Sequence, residues 1–323
     1  MEIKVRPFNK NDYPDLVRIW NEAYPEYRST ENEVEYYDQH EDPRTKQAKF
    51  MAEKDGQVVG TGEFFQLGEW FHPRKFFIDI TVLKQFRNQG VGSALYQTLL
   101  DALKPFDPIL IRSRVREGYE EGRAFLEHRG FKQEFVEWES RLDVSNFDFR
   151  SFSGLLESLE SQGFILKTYR DLEEDSQRDE KLFYLWREIF RDVPFPDPPT
   201  GIPFETLLER VKGPGFLPDG FFIMVKDGEY VGLSNLIKWE SDPLWTTGLT
   251  GVRRDYRKKG IALALKICAI RYARERGVPE IKTWNASYNQ AMLSLNQKLG
   301  FRKHSSWTTF AKLLTGKPDH FGE

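Results

Sequence analysis

A single cysteine, Cys268, stands in 323 residues, which excludes an internal disulfide framework and any cysteine-based zinc cage. Charge of one sign is also missing. Lys and Arg number 47 against 50 Asp and Glu, a net charge of −3. A general nucleic-acid binder carries a strong basic excess instead. No apolar run approaches the roughly 18 residues of a membrane span, and the longest candidate, Ile261 to Ile270, is broken by Lys266. The opening Met1-Glu2-Ile3-Lys4-Val5-Arg6 has no apolar signal segment. These absences predict a soluble, cytoplasmic protein with no nucleic-acid or membrane partner. The five histidines (40, 72, 128, 304 and 320) show no metal-ligand spacing, so no metal is expected. Neither G-x-x-x-x-G-K-[ST] nor G-x-S-x-G occurs, which excludes an ATP-binding P-loop and a nucleophile elbow. Aromatic residues, by contrast, make up 15% of the chain, enough for a sizeable core or two.

The chain repeats itself. Arg87-Asn88-Gln89-Gly90-Val91-Gly92 returns as Arg257-Lys258-Lys259-Gly260-Ile261-Ala262, and Arg129-Gly130-Phe131 returns as Leu299-Gly300-Phe301. Upstream, Asp55-Gly56 and Val59-Gly60 match Asp227-Gly228 and Val231-Gly232. Three landmarks in one order at nearly constant spacing indicate two whole domains, not a solenoid. The boundary is expected near residue 148, giving domains 1–148 and 149–323.

Each half reads as strands and helices in the same order. In the first, Glu2 to Pro7 alternates as a strand and Tyr13 to Ala23 has helical spacing. Lys49 to Glu53 and Gln57 to Gln66 flank Asp55-Gly56, a strong hairpin signal. Phe76 to Leu83 is a long strand, and Gly90 to Leu103 a helix with Val91, Leu95, Leu99 and Leu103 on one face. Pro108 to Ile111 reads as a short strand, Tyr119 to His128 as a helix and Phe131 to Leu142 as two closing strands. The second half repeats this through the hairpin at Asp227-Gly228, a strand ending at Val252, a helix from Gly260 to Arg276, a strand from Glu280 to Trp284, a helix from Tyr288 to Leu299 and a closing Phe301 to Leu314. The expected class is α+β, each domain a mixed, mostly antiparallel twisted sheet flanked by helices.

In both halves a long strand feeds a basic-polar loop, a glycine and a helix. A helix's first turn leaves N–H groups without partners, and its dipole favours an anion. Small residues at 90, 92, 260 and 262 leave room for a phosphate beside the backbone. Arg87, Arg257, Lys258 and Lys259 add positive charge. The pair reads as two pyrophosphate cradles, or as plain strand-to-helix turns. The position of a third dinucleotide-fingerprint glycine is Leu95, so that motif is excluded.

Arg-x-x-Gly-x-Gly/Ala after a strand ending in Val, followed by a helix ending in Gly-Phe, resembles the GNAT N-acetyltransferase superfamily. The resemblance covers nearly the whole chain and is nearest to the tandem GNAT proteins, a group that includes mycothiol synthase. It is densest over Thr250-Gly251-Val252, residues 257–262, and the series Thr283, Asn285, Asn289, Met292, Asn296, Leu299-Gly300-Phe301. It implies acetyl-CoA as cofactor and direct transfer of the acetyl group to an amine of a small molecule or peptide. By the same resemblance, Arg87, Asn88, Gln89, Gly90, Val91 and Gly92, and Arg257, Lys258, Lys259, Gly260, Ile261 and Ala262, would bind the pyrophosphate. Val82 and Val252 would end the strands that meet the pantetheine, with Asn285 and Asn289 near the cofactor.

The position where the family places its thiolate-protonating Tyr holds Asn296 in the second half and Leu126 in the first. The expectation is therefore a scaffolding first half and a catalytic second half, with Asn296 or Tyr288 assisting the departing sulfur. The rival is a non-catalytic CoA-binding or regulatory protein. Asn289 and Asn296 either face the cofactor or serve as a helix cap and a core hydrogen bond. Asp79 stands where some members of the superfamily carry a general base, or is a solvent-facing carboxylate. In the second half Glu240, Asp242 or a loop would have to supply the base. Cys268 reads as a buried structural thiol, and His304, just after Gly300-Phe301, either approaches the acceptor site or has no part in it. Pro194-Phe195-Pro196-Asp197-Pro198-Pro199 reads as a stiff lid or a rigid connector.

Overall fold

The computed structural model describes residues 2–314. They divide into two compact units, one formed by residues 2–136, 196–202 and 307–314, the other by 137–195 and 203–306.

The first unit runs β1 (Ile3–Pro7), α1 (Tyr13–Ala23), α2 (Glu31–Gln39), β2 (Ala48–Lys54), β3 (Gln57–Phe65), β4 (Lys75–Val82), α3 (Val91–Leu103), β5 (Leu110–Arg116) and α4 (Glu120–Glu127). The chain then enters β6 (Lys132–Asp143), whose residues from Glu137 onward belong to the second unit. That unit continues with α5 (Leu155–Ser161), β7 (Phe164–Thr168), α6 (Arg178–Phe190), α7 (Phe204–Val211), β8 (Phe216–Lys226), β9 (Glu229–Ile237), β10 (Trp245–Val252), α8 (Ile261–Glu275), β11 (Glu280–Ala286), α9 (Gln290–Lys298) and β12 (Arg302–Leu313).

In the first unit β1, β2, β3 and β4 pair antiparallel in sequence order, and β4 lies parallel to β5. The outer edge of β5 is covered by Trp307–Leu313 of β12, antiparallel over the whole strand. The second unit mirrors this: β7 to β10 pair antiparallel in order, β10 lies parallel to β11, and Glu137–Asp143 of β6 covers β11. Each unit is thus closed by the strand that follows the other unit's last helix. The boundary expected at 148 is corrected to 136/137, with two further exchanged segments. The two closing strands expected in Phe131 to Leu142 are one strand, because that stretch has no Gly, Pro, Asn or Asp to turn it. Likewise β5 runs on to Arg116, five residues beyond the expected Ile111.

Helix α3 forms where its apolar stripe predicts. Val91, Leu95, Leu99 and Leu103 are all buried, and the last two join Phe64, Phe76, Ile78 and Ile111 in one core. That core occupies one face of the sheet. The opposite face of β2, β3 and β4, toward α1 and α2, carries polar groups, and it positions the site.

Candidate active site

β4 and β5 pair only from Lys75–Leu110 to Phe77–Arg112. Beyond that β4 stays with β3 as far as Val82–Gly60, while β5 stays with β12 as far as Arg116–Trp307. Each strand is held by its outer neighbour, so the two part and leave a wedge between them. The wedge is a cavity of about 740 Å³, within the range of small-molecule sites. Val82, Arg87, Asn88, Gly90 and Gly92 bound one part of it; Tyr24, Asp79, Arg114 and Tyr119 bound another.

The first cradle is built by backbone geometry. Asn88 (φ +57°) and Gly90 (φ +88°) are left-handed, a conformation that suits glycine and admits Asn at modest cost. Gly90 caps α3 without a side chain, so no side chain occupies the first-turn N–H groups. A Cβ at Gly92 would lie 3.2 Å from the Phe125 ring. Arg87 Nε donates to Val82 O at 3.1 Å and its Nη1 to Glu121 at 3.2 Å. The side chains of the other two residues expected here point elsewhere: Val91 is buried in the core, and Gln89 bonds Gln85 O and Lys54.

Asp79 lies on the cavity wall. It sits directly opposite Glu63 in the β3–β4 register, and Glu63 sits opposite Lys49 in β2. Facing residues on antiparallel strands project to the same side, so Lys49, Glu63 and Asp79 form a row. Lys49 Nζ lies 3.5 Å from Glu63 and 2.6 Å from Asp38 of α2, which also accepts from Tyr13 at 3.0 Å. Burial, then the charge of Glu63, pushes Asp79 up to about 7, against the opposing pull of Arg114 and the Ile80 N–H. Tyr24 is pushed up by burial first, then by Asp79 and Tyr119. It stacks on Tyr119 at 5.2 Å, whose hydroxyl donates to Ala23 O at 2.6 Å.

The second cradle has the same backbone and different surroundings. Lys258 (φ +62°) and Gly260 (φ +86°) repeat the left-handed pair, and Arg257 Nε donates to Val252 O at 2.9 Å. Here, however, Asp192 binds both Arg254 and Arg257. The bond from Arg254, then that from Arg257, holds Asp192 at about 2, against burial. A Cβ on Gly251 would lie 2.0 Å from Ile189 of α6, so that helix rests on the strand leading into the cradle. Lys258 and Lys259 are exposed, while Val252 and Ile261 are core residues and Ala262 packs beside them.

Asn289 accepts from Met292 N at 3.2 Å as the α9 cap. Asn296 is buried and donates to Asn285 Oδ1 at 2.7 Å. The structure thus gives Asn289 the cap and Asn296 the buried amide bond that were the alternatives to a cofactor-facing stripe. Tyr288 precedes α9, which starts at Gln290, and is 54% exposed. Asp242 is buried in an ion pair with Lys282, so it is not free to act as a base. Cys268 is pushed up to about 11 by burial, and His304 is exposed on β12. The Pro-rich segment is fastened to the first unit: Asp197 binds Arg112 at 2.5 Å and Lys75 at 2.8 Å.

Sequence reasoning missed Tyr24, Arg114 and the Lys49–Glu63–Asp79 row. The period-two series Arg112, Arg114, Arg116 was visible, but it lies past the point where β5 was expected to end.

A mixed sheet opened by two splayed parallel strands, with a left-handed glycine at a helix start beside the opening, occurs here twice. The acetyltransferase (GNAT) family model matches residues 13–131 and 173–301, and the chain belongs to that family. Among characterised relatives it is similar to the mycothiol acetyltransferase of Thermomonospora curvata, 28% identical over 101 residues, 31% of this chain and 34% of that protein. The mycothiol acetyltransferase of Streptomyces coelicolor is 28% identical over 98 residues, 30% of this chain and 32% of that protein. The chain therefore matches about a third of the length of these relatives. Among solved structures, a tandem GNAT protein from the clavulanic acid biosynthesis pathway superposes with a TM-score of 0.73 at 17% identity, covering 98% of this chain and 100% of that one. A GCN5-related N-acetyltransferase from Sphaerobacter thermophilus gives 0.69 at 16%, covering 98% and 97%. At such identities the likeness concerns the fold, which is a tandem GNAT fold. Acetyl-CoA is the acyl donor of this family, and the first unit's residues fit it: an uncapped helix start, a glycine whose Cβ would crowd Phe125, and a cavity of sufficient volume. Among the described residues, no helix is long and apolar enough to cross a membrane.

Proposed function

We propose that the chain is an N-acetyltransferase that acetylates an amine at the cavity of the first unit, with Asp79 as general base. The single observation that carries this reading is Asp79 on the wall of the same cavity as the cradle. An amine at neutral pH is an ammonium and is not nucleophilic. A carboxylate near 7 is matched to taking its proton. Burial disfavours the charge at Asp79, and Glu63, held by Lys49, adds to that opposition. Bound acetyl-CoA would supply an activated acetyl thioester. The splayed part of β4, from Ile78 to Val82, has no strand partner on its β5 side, and its backbone groups would dock the pantetheine as an added strand. Gly90 and the α3 start would hold the phosphates. Tyr24, kept protonated, offers a hydroxyl donor on the same wall. Most of the rate would come from positioning.

The second unit is the scaffolding half in this reading. Asp192 binds Arg257 of the second cradle, and, decisively for this reading, the position matching Asp79 is Leu249. Asn296 and Tyr288 have no chemical role. The test is release of CoA from acetyl-CoA across an amine panel, comparing Asp79→Asn with Asn296→Ala. Loss of turnover in the first alone supports the assignment; loss in the second alone overturns it.

A further inference from the structure

We infer that the acceptor is an amine that also bears a carboxylate, an amino-acid-like molecule whose anionic group is read by Arg114. The inference rests on the proposed site and specifies its substrate. β5 buries Ile111 in the core, and Val115 packs against α4 beside Gly122. Arg112, Arg114 and Arg116 therefore project to the opposite face, the one that carries Asp79. Two of these three arginines are matched within the protein. Arg112 binds Glu134 through Nε and Nη2, at 2.7 and 2.9 Å, and Asp197 at 2.5 Å through Nη1. Arg116 binds Glu26 at 2.6 Å and lies 5.0 Å over the Tyr27 ring.

Arg114 stands between them, and its side chain has no hydrogen bond, ion pair or ring contact among the described residues. It is exposed and lines the cavity. Strand divergence explains its position: Phe77 and Arg112 still pair, and two residues further along each strand Asp79 and Arg114 face one another across the opening. A guanidinium presents a planar fork that suits a carboxylate. An acceptor lying in the mouth would place its ammonium at Asp79 and its carboxylate at Arg114, satisfying both charges with one molecule. A polyamine or neutral amino sugar would leave Arg114 unmatched.

The experiment separates binding from chemistry. Protein saturated with CoA, which has no acetyl group to give, is titrated calorimetrically with the standard amino acids and, in parallel, with their carboxamides. The parent is expected to bind at least one amino acid ten-fold or more tightly than its carboxamide. Arg114→Met is expected to reduce that preference to less than two-fold while leaving CoA affinity unchanged. Arg114→Lys is expected to recover part of it. Equal binding of acid and amide, absence of amino-acid binding, or a ten-fold loss of CoA affinity in Arg114→Met overturns the inference; the last would place Arg114 on the donor side. Asp79→Asn in the same titration keeps the two proposals apart. If that variant keeps the acid-over-amide preference and, in a separate assay with acetyl-CoA, still releases CoA at the parent's rate, the base is misassigned, whatever Arg114 shows.

Discussion

The two cradles share their backbone to within a few degrees of φ and differ in what surrounds them. Opposite the middle of β4 stands Glu63; at the matching place opposite β10 stands Asn235. Where the first unit sets a carboxylate, the second has Leu249, whose N–H is bonded to Asn235 Oδ1 at 2.9 Å at a bulge in the strand. One strand pair concentrates negative charge at the opening, and the other spends the same positions on securing an irregular backbone. The arginine of each cradle is bound by an acid, Arg87 by Glu121 and Arg257 by Asp192, so the glycine turn and its arginine are common to both units, and what differs is the acid on the neighbouring strand.

The largest expected effect comes from removing the charge that distinguishes the units. Asp79→Asn should lower kcat/KM at pH 8 by about 10²–10⁴, the usual contribution of a general base, with Asn296→Ala within about three-fold of the parent, both read by CoA release. In the parent, kcat/KM should rise with pH through about 7, as the carboxylate forms, and Asp79→Asn should lose that limb. A flat parent profile would break the comparison at its strongest point.

Gly90→Glu places an acid on a left-handed residue at the helix start and should weaken acetyl-CoA binding by roughly 100-fold, a few kcal/mol of lost anion recognition. Gly260→Glu strains its loop in the same way but should leave affinity unchanged, with calorimetry reporting one site per chain. The reverse result would exchange the roles of the units.

A stability effect of about 1–4 kcal/mol follows from the same carboxylate. Because the folded value of Asp79 lies above its unfolded value of about 3.8, ionising it opposes folding. The penalty is absent below pH 4, grows between 4 and 7, and is complete above 7. Asp79→Asn should therefore be more stable than the parent at pH 8 and equal to it at pH 4, by urea denaturation at each pH. The smallest effect sharpens the comparison from the other side: Asp192→Asn releases Arg254 and Arg257 and should add a weak second site for CoA without changing turnover.

Much of this was legible in the sequence where local rules decide. The α3 stripe, the Asp-Gly hairpins and the glycine-started helices follow from periodicity and turn chemistry, and they locate both cradles. The strand exchange was not legible, because periodicity says that Phe131 to Leu142 is extended without saying which strand it will meet. Asp79 was visible as an acid in a strand, yet its burial depends on Tyr24 and on α1, more than 50 residues away. Arg114 was hidden by the early end given to β5. Asp192 sits in an ordinary helix-end sequence, and only folding brings it to Arg257.

The closing role of β12 also bears on how the protein is made. The strand that holds β5 away from β4 begins about 190 residues after β5 ends. At about 5–20 residues per second, a ribosome takes roughly 10–40 s to cover that distance. Throughout that interval the nascent first unit carries β5 as an open edge, exposed to mispairing and to proteases. The opening at its centre therefore forms late, once β12 has been made and has returned to β5.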